Sequence, residues 1–475
     1  MHQVAARKLA EYLSDWLSLR YDQCDIPGFS VAVSIDGRLI LNQAFGYADL
    51  EKKEVLTPEH LFRVASHSKT FAGTACMQLQ EQGKLNIEAP VVQYLPWLKE
   101  HKDKRFQEIT SRQLLSHSAG VIRDGLDADF WQFNRPFPNS QELQKQLLEA
   151  GLIFDCNTKM KYSNHGYGLL GLVIEAAAGQ SFRAYVSENI IAPLALDNTG
   201  ADYCRSIENR LARGYTRVER GGARSRLDTT IDTASLSAAT GFYSNAADLC
   251  RYFSAHIVGS GLLLQDASKK EMQRTQWPVT NSTFGQEYGL GLQIDYVEQR
   301  RVFGHAGGFP GHATRTLCDP ADKMVVSVLT NCIDADPTAI ARAVFAFADH
   351  FSAAYAAGED STMVKAAEAG GSIDMERFRG RFQGLFRIMD VLPAGDKLIA
   401  INPSSWQPFA DVEELSVVNE HTLKMMKANG FSCEGELVPY EFRGAELPAD
   451  SIRCGGATLF GEKNYKLFNP IAVEV

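Results

Sequence analysis

The chain has 475 residues and a formal net charge of -9 at pH 7, with 45% hydrophobic and 22% charged residues. This composition is typical of a globular protein with a core of ordinary size, and the length permits about two or three domains. Basic residues occur only in short runs mixed with acidic ones. Because phosphate binding needs a concentrated basic surface, we predict no nucleic-acid partner.

The nine cysteines are scattered, and no two form a Cys-x-x-Cys pair. This predicts free thiols in a reducing compartment. No cluster of histidines, cysteines or carboxylates has metal-ligand spacing, so we predict no metal and no cofactor. No apolar segment follows the N-terminus, and no apolar run reaches the length of about 18 residues that crosses a bilayer. We expect a cytoplasmic protein without a membrane span; a leader removed from the N-terminus is the alternative.

Residues 4–21 predict an amphipathic helix, because apolar residues recur on one side with charges between them. Two strands are expected at 29–35 and 38–45, joined by a turn at Asp36-Gly37. Between about 50 and 240 the pattern is mostly helical. Its predicted helices begin at Thr57-Pro58-Glu59 and cover about 66–82 and 167–178.

Strand patterns return at 288–296, 301–304, 313–318 and 324–329, and a helix is expected near 337–350. We therefore predict an α+β fold, with one antiparallel sheet built from about 25–46 and 288–352 and flanked by helices. The helical insert of about 50–240 forms one wall of a cleft. This domain covers 1–354. The small polar residues of 355–372 predict a linker, and glycine-punctuated alternation over 373–475 predicts a small antiparallel barrel or sandwich.

The sharpest chemical signal is Ser66-His67-Ser68-Lys69. Positions i and i+3 of a helix lie on one face, about 5–6 Å apart at Cβ, so Ser66 and Lys69 can meet. A serine hydroxyl is a weak nucleophile until a base removes its proton, and a desolvated lysine can act as that base. The pattern alone is common, so it needs further motifs.

Two such motifs follow. In Tyr162-Ser163-Asn164, a tyrosine near a lysine can pass a proton between nucleophile and leaving group, and Asn164 can bind a substrate amide or hold Lys69. In 303–311, glycines at the end of a strand permit close approach of the backbone to a ligand. The N–H groups of Gly308 and Ser66 can then form an oxyanion hole. A glycine-rich turn with an incidental histidine, His305, is the alternative interpretation.

The order Ser-x-x-Lys, Tyr-x-Asn, His-x-Gly resembles the three motifs of class C β-lactamases, DD-carboxypeptidases, D-aminopeptidases and related esterases. The resemblance covers about residues 25–350 and implies a β-lactamase/transpeptidase-like fold. The C-terminal region resembles the lipocalin-like barrel of some peptidases in this group. Similar flanking stretches lie at 26–33, 114–120, 241–249, 288–292 and 329–331.

The resemblance implies that Ser66 is the nucleophile, that Lys69 is its base, and that Tyr162 protonates the leaving group and later activates water. The resemblance also implies that His305 is a catalytic residue, in the place of the lysine of the Lys-Thr-Gly motif of β-lactamases. The implied substrate-binding residues are Asn164, Ala306 and Gly307.

His305 and Ala306 stand where β-lactamases carry lysine and threonine, which help to bind a carboxylate. Their replacement predicts weak or absent β-lactamase activity. Arg315 is a candidate replacement charge, and an ordinary strand arginine is the simpler interpretation. His117, in a loop-like stretch, is interpreted as structural.

We therefore predict a serine hydrolase that acts through an acyl-enzyme on a small-molecule or short-peptide substrate, as a peptidase or amidase. A carboxylesterase of the same fold is one alternative. Another is a penicillin-binding or sensor-like module with slow turnover, and a third is a scaffold that has lost the chemistry. Assembly into a homo-oligomer is left open.

Overall fold

The structure is a computed structural model that describes residues 1–282, 285–356, 358, 362–366, 371–428, 433–443 and 447–465. The chain forms two compact units, Asp25–Ala341 and a second that combines Met1–Cys24 with Arg342–Val475. The predicted limit at residue 354 lies within the second of these units and stays a prediction. Parts of the predicted linker (357, 359–361 and 367–370) and of the predicted barrel (429–432, 444–446 and 466–475) lie outside the described residues.

Nine α-helices lie within the described residues, and none of them combines the length and apolar character needed to cross a bilayer. The helices predicted at 4–21, 66–82, 167–178 and 337–350 are present with small shifts at their ends. The helices are α1 (Gln3–Gln23), α2 (Ser68–Glu81), α3 (Ser111–Leu115), α4 (Ser140–Glu149), α5 (Asn164–Ala178), α6 (Phe182–Val186), α7 (Ala246–Ala255), α8 (Asp266–Gln273) and α9 (Pro337–Ala354).

The strands fall into a large sheet, a barrel and three short pairs. They are β1 (Gly28–Ile35), β2 (Arg38–Asp49), β3 (Glu54–Val55), β4 (Phe62–Arg63), β5 (Gly214–Tyr215), β6 (Arg226–Leu227), β7 (Tyr243–Ser244), β8 (Trp277–Pro278), β9 (Glu287–Tyr288), β10 (Gln293–Val297), β11 (Arg300–Phe309), β12 (His312–Asp319), β13 (Met324–Thr330), β14 (Met363–Lys365), β15 (Ser372–Asp374), β16 (Gly380–Gln383), β17 (Ile388–Ala394), β18 (Lys397–Ile401), β19 (Glu413–Asn419), β20 (Thr422–Lys427), β21 (Leu437–Glu441), β22 (Ser451–Cys454) and β23 (Ala457–Gly461).

The large sheet of the unit Asp25–Ala341 has the order β3-β2-β1-β13-β12-β11-β10-β9-β8. Strand β1 pairs antiparallel with both β2 and β13, so strands that are far apart in the sequence meet at its centre. Helix α7 packs on this central part, beside β1 and β13. The α+β fold predicted from strands at both ends and helices between them is confirmed.

Two local predictions are wrong. No helix begins at Thr57-Pro58-Glu59: the Thr57 N–H donates to the imidazole of His60 at 3.0 Å, and the His60 N–H closes a turn on the Thr57 carbonyl at 3.1 Å. The strand expected at 288–296 is divided into β9 and β10. Between them the backbone bends at Gly289, where a Cβ would lie 2.1 Å from the Met272 carbonyl oxygen, and at Gly291, whose φ is +77°.

The second unit contains a closed barrel of the eight strands β16–β23, closed by pairing of β16 with β23. Its interior is filled by apolar side chains, among them Phe378, Phe382 and Tyr440. Within the same unit, α1 packs on α9 through Trp16 and Phe347, and Trp16 Nε1 donates to the Pro403 carbonyl at 3.0 Å. The predicted all-β C-terminal barrel is confirmed, whereas β14 and β15 form a hairpin that overlaps the predicted linker.

Candidate active site

Ser66 lies in a single 3₁₀ turn, Ala65–His67, that leads directly into α2. The preceding Ala65 has a φ of +46°, a left-handed conformation that is costly for a residue with a Cβ. The Ser68 hydroxyl holds this conformation by donating to the Ala65 carbonyl at 2.5 Å. The turn leaves Ser66 partly exposed at the start of the helix, where a substrate can reach it.

Lys69 is completely buried one turn further along α2, and its Nζ lies 3.1 Å from Ser66 Oγ. The same nitrogen lies 2.8 Å from Asn164 Oδ1 and 2.7 Å from the Ala239 carbonyl oxygen. Burial lowers the pKa of Lys69 well below the ordinary range of lysine, so the neutral amine is favoured. A neutral amine has two N–H groups and one lone pair. The two N–H groups go to oxygens that only accept, and the lone pair therefore faces the Ser66 hydroxyl.

Tyr162 lies next to this pair, with Lys69 Nζ 4.6 Å from the centre of its ring. Burial raises the pKa of Tyr162, and a hydrogen bond with the Ser66 side chain only partly offsets this effect. The phenol therefore keeps its proton at neutral pH and is able to donate it. The structure thus brings together Ser66, Lys69, Tyr162 and Asn164 as the sequence predicts.

His117 packs against the Tyr162 ring, with a centroid separation of 4.2 Å, and also contacts Tyr167 and Tyr288. Its Nδ1 accepts the Ser163 backbone N–H at 3.1 Å. Burial, followed by the proximity of Lys69, holds the pKa of His117 well below its usual range. A neutral, enclosed His117 fits the structural interpretation, as a support for the tyrosine ring.

His305 is completely buried on β11. Its Nδ1 lies 2.6 Å from the Ala306 carbonyl oxygen, which only accepts, so Nδ1 carries the proton and Nε2 accepts from the Tyr288 hydroxyl at 3.0 Å. Burial is the main reason why the pKa of His305 lies well below its usual range, and the proximity of Lys69 adds to it. These bonds place a neutral imidazole behind Tyr288, and neither bond is to Ser66, Lys69 or Tyr162.

Strand β11 runs close to the turn that carries Ser66. A Cβ on Gly307 would lie 2.3 Å from the Val64 carbonyl oxygen, so only glycine permits this approach. The Ala306 N–H donates to Gln293 Oε1 at 2.9 Å, on the side away from β12. Backbone groups two residues apart in a strand point to the same edge. The N–H of Gly308 therefore points to the same edge of β11 as the N–H of Ala306. Gly308 is exposed, so its N–H is accessible from that edge, as an oxyanion hole requires.

Arg315 is buried and bonded to Asp295 and Gln293. The simpler interpretation, an ordinary strand arginine, is therefore confirmed. Among the residues that the structure describes, no group of three or more His, Cys, Asp or Glu side chains is placed to hold a metal ion.

Sequence reasoning did not find four contributors to the site: Ser68, Asp124, Ala239 and Tyr288. Ser68 and Ala239 act through hydrogen bonds that depend on the folded backbone, and Asp124 contacts Asn164 across 40 positions. Of these four residues, Tyr288 could have been found from the sequence, because it is the first residue of the stretch 288–292, which is similar to the family.

The close approach of β11 gives a prediction with a matched control. Gly307→Ala should lower the free energy of unfolding by about 1–3 kcal/mol, because its Cβ would overlap Val64 and Thr314. Gly308→Ala should change it by less than about 0.5 kcal/mol, because no atom lies within 4 Å of the added Cβ. Urea unfolding followed by circular dichroism measures both; equal losses would contradict the geometry.

Curated relatives match parts of the chain. Protein flp of Staphylococcus aureus (strain N315) is 29% identical over 192 residues, which are 40% of this chain and 38% of flp. The match therefore spans well under half the length of flp. Penicillin-binding protein 4* of Bacillus subtilis (strain 168) is 28% identical over 338 residues, which are 68% of this chain and 71% of that protein.

Two solved structures are similar in fold. The octameric penicillin-binding protein homologue from Pyrococcus abyssi has a TM-score of 0.61 at 21% identity, and the match covers 95% of this chain and 99% of that one. D-amino acid amidase from Ochrobactrum anthropi SV3, complexed with D-phenylalanine, has a TM-score of 0.59 at 22% identity, and the match covers 72% of this chain and 97% of that one. The model of the β-lactamase family matches residues 6–349. The chain therefore belongs to the β-lactamase family, a family of serine hydrolases.

Proposed function

We propose that the chain hydrolyses amide bonds through an acyl-enzyme on Ser66, as an amidase or peptidase. The observation that carries this proposal is the contact between the buried Lys69 amine and the Ser66 hydroxyl. Two acceptor oxygens engage the N–H groups of the amine, so its lone pair is available to the serine proton.

In the acylation step, Lys69 takes the proton of Ser66 while Oγ bonds to the substrate carbonyl carbon. The backbone N–H groups of Ser66 and Gly308 stabilise the negative oxygen that forms. Tyr162 then gives its proton to the leaving nitrogen, and the proton on Lys69 restores the phenol. Water attacks the acyl group in the second step, its proton passes to the same network, and Ser66 is released.

The state of Tyr162 favours amides over esters. An amine cannot leave without a proton, whereas many alkoxides and phenolates leave more readily. A phenol that keeps its proton at neutral pH suits the harder leaving group. The fold shared with D-amino acid amidase makes amino-acid amides the first substrates to test.

The surroundings of His305 support the prediction of weak or absent β-lactamase activity. The neutral imidazole is directed to Tyr288 and Ala306, and Arg315 is bonded to Asp295. Neither side chain offers a free positive charge to the carboxylate of a β-lactam.

Cytoplasmic location and homo-oligomer formation remain predictions. Because one homologue of similar fold is octameric, light scattering is a direct test of homo-oligomer formation.

Ser66→Ala should abolish both fluorophosphonate labelling and hydrolysis of D- and L-amino-acid amides, because no other group replaces the nucleophile. Thermal unfolding should stay unchanged, since Ser66 is partly exposed. Residual activity above about one per cent would contradict the assignment. In the wild type, an initial burst without turnover would indicate a penicillin-binding module. Turnover of short-chain esters without measurable turnover of any amide would indicate a carboxylesterase.

Tyr162→Phe should slow amide hydrolysis by about 10²–10⁴, because the leaving amine loses its proton donor. The matched substrate is a p-nitrophenyl ester, whose leaving group departs as an anion and should lose less than about tenfold. Steady-state kcat/KM with both substrates measures the difference. Equal losses would show that Tyr162 does not protonate the leaving group.

Activity should fall as the pH falls through the pKa of Lys69, because the ammonium form has no lone pair to accept the Ser66 proton. Burial lowers this pKa, so the acid limb of kcat/KM should lie well below the ordinary pKa range of lysine. Lys69→Arg should be inactive at every pH, because arginine stays protonated. An active Lys69→Arg variant would remove Lys69 from the mechanism.

A further inference from the structure

The chain just before Asp124 is fixed to the N-terminus of α5. The Ser163 hydroxyl donates to the Ile122 carbonyl at 2.7 Å, and the backbone N–H groups of Asn164 and His165 donate to the Arg123 carbonyl at 2.9 and 3.0 Å. The two bonds to Arg123 use backbone N–H groups that the first turn of a helix leaves without an intrahelical partner. Asp124 therefore has a defined position above the start of the helix.

Two glycines fix the path of this loop on either side. Gly120 has a φ of +75°, and a Cβ there would lie 2.3 Å from the Phe154 carbonyl oxygen. Gly125 has a φ of +84°, and its Cβ would lie 2.6 Å from Cε1 of His165. Neither position accepts a side chain without a shift of its neighbours.

The Asp124 carboxylate accepts three hydrogen-bond donors and its side chain is only 12% exposed. One oxygen accepts Asn164 Nδ2 at 2.7 Å and Trp131 Nε1 at 3.0 Å, and the other lies 3.0 Å from Arg123 Nε. An ionised carboxylate only accepts hydrogen bonds. The amide group of Asn164 must therefore turn its NH₂ to Asp124 and its oxygen to Lys69.

The orientation of this amide decides where the lone pair of Lys69 points. With the oxygen towards Lys69, the amine donates to Asn164 and Ala239, and its lone pair is left for Ser66. With the amide reversed, an N–H of Asn164 would face the amine. Lys69 would then accept that N–H and lose its place as the base for Ser66.

We propose that Asp124 is a positioning residue: by accepting the Asn164 amide N–H, it holds the amide oxygen on Lys69 and so keeps the lone pair of Lys69 on Ser66. This inference rests on the proposed function in one respect, namely that Lys69 is the base. Asp124 is bonded to Asn164 and not to Ser66 or Lys69, so it positions the amine through Asn164, and its charge acts on the pKa of Lys69 only at a distance.

The test compares Asp124→Ala with Asp124→Asn. Both variants remove the negative charge, but only asparagine keeps an oxygen that accepts from Asn164 and Trp131. Its NH₂ would face Arg123, whose side chain is 66% exposed and free to move aside. Asp127→Ala is the matched control, because Asp127 lies in the same loop and pairs with Arg135 instead.

The measurement is the rate at which a fluorophosphonate labels Ser66 across the pH range. In this reaction the Oγ–P bond forms, fluoride leaves with the electrons of the P–F bond, and the serine proton passes to Lys69. Asp124→Ala should lower the plateau rate by about 10- to 100-fold. Asp124→Asn and Asp127→Ala should stay within about threefold of the wild type.

The acid limb of the pH profile of labelling separates two effects of Asp124, the positioning of Asn164 and the charge near Lys69. The negative charge of Asp124 raises the pKa of Lys69, so removing it should move the acid limb to lower pH by a similar amount in both Asp124 variants. Only the plateau should distinguish alanine from asparagine. If Asp124 served stability alone, its variants would change the melting temperature, but the plateau rates of Asp124→Ala and Asp124→Asn would not differ. If Asp124→Ala does not fold, Asp124→Ser replaces it, because serine is too short to reach Asn164.

The inference is overturned if Asp124→Ala labels at the wild-type rate, or if Asp124→Asn is as slow as Asp124→Ala. Its failure is distinct from failure of the proposed function. If wild-type Ser66 is labelled with the expected dependence on Asp124 but amides are not hydrolysed, the proposed function fails and the inference stands. If wild-type Ser66 resists the fluorophosphonate, both fail.

Discussion

The candidate site depends on the burial of one amine without a directly bonded carboxylate. Lys69 Nζ is surrounded by two neutral oxygens, from Asn164 and Ala239, and by the rings of Tyr162 and Tyr167. The carboxylate of Asp124 lies beyond the Asn164 amide, so its negative charge raises the pKa of Lys69 without a bond to the amine. A direct ion pair would stabilise the ammonium form, whereas a desolvated amine with neutral partners favours the uncharged form that a base requires.

The surrounding elements meet at this amine by close backbone contacts. A Cβ on Gly291, in the bend between β9 and β10, would lie 2.8 Å from the Lys69 carbonyl oxygen, and Gly307 has the same relation to Val64. The sheet therefore approaches both ends of the segment that carries Ser66 and Lys69. From the opposite side, the start of α5 supplies Asn164. Lys69 is completely buried where these elements meet, and this burial is the main reason why the pKa of the amine is lowered.

Sequence reasoning succeeded where the signal is local and failed where tertiary contacts decide. The two strand segments around the Asp36-Gly37 turn and the i, i+3 spacing of Ser66 and Lys69 are properties of short segments. Strands β1 and β2 and the pairing of these two residues were therefore predictable. The signal for a helix at Thr57 was also local, but the Leu61 N–H, which would close the first helical turn on the Thr57 carbonyl, donates to the distant Arg210 carbonyl at 2.8 Å. Asp124 stands beside Arg123 in a stretch that matches none of the three motifs. Its contact with Asn164 becomes visible only in the fold.

The third motif acts here by shape rather than by charge. Gly307 permits the close approach of β11, and Gly308 presents its N–H at the open edge, whereas the imidazole of His305 is bonded to the Tyr288 hydroxyl and the Ala306 carbonyl oxygen. A charged imidazole on β11 would lie in the same desolvated region as Lys69, and the two cations would each make the other more costly. The neutral form of His305 therefore avoids a second positive charge in the region where Lys69 is buried. For the proposed amide hydrolysis, an edge that offers backbone groups alone would suit a carbonyl without a neighbouring carboxylate, as in a simple amide.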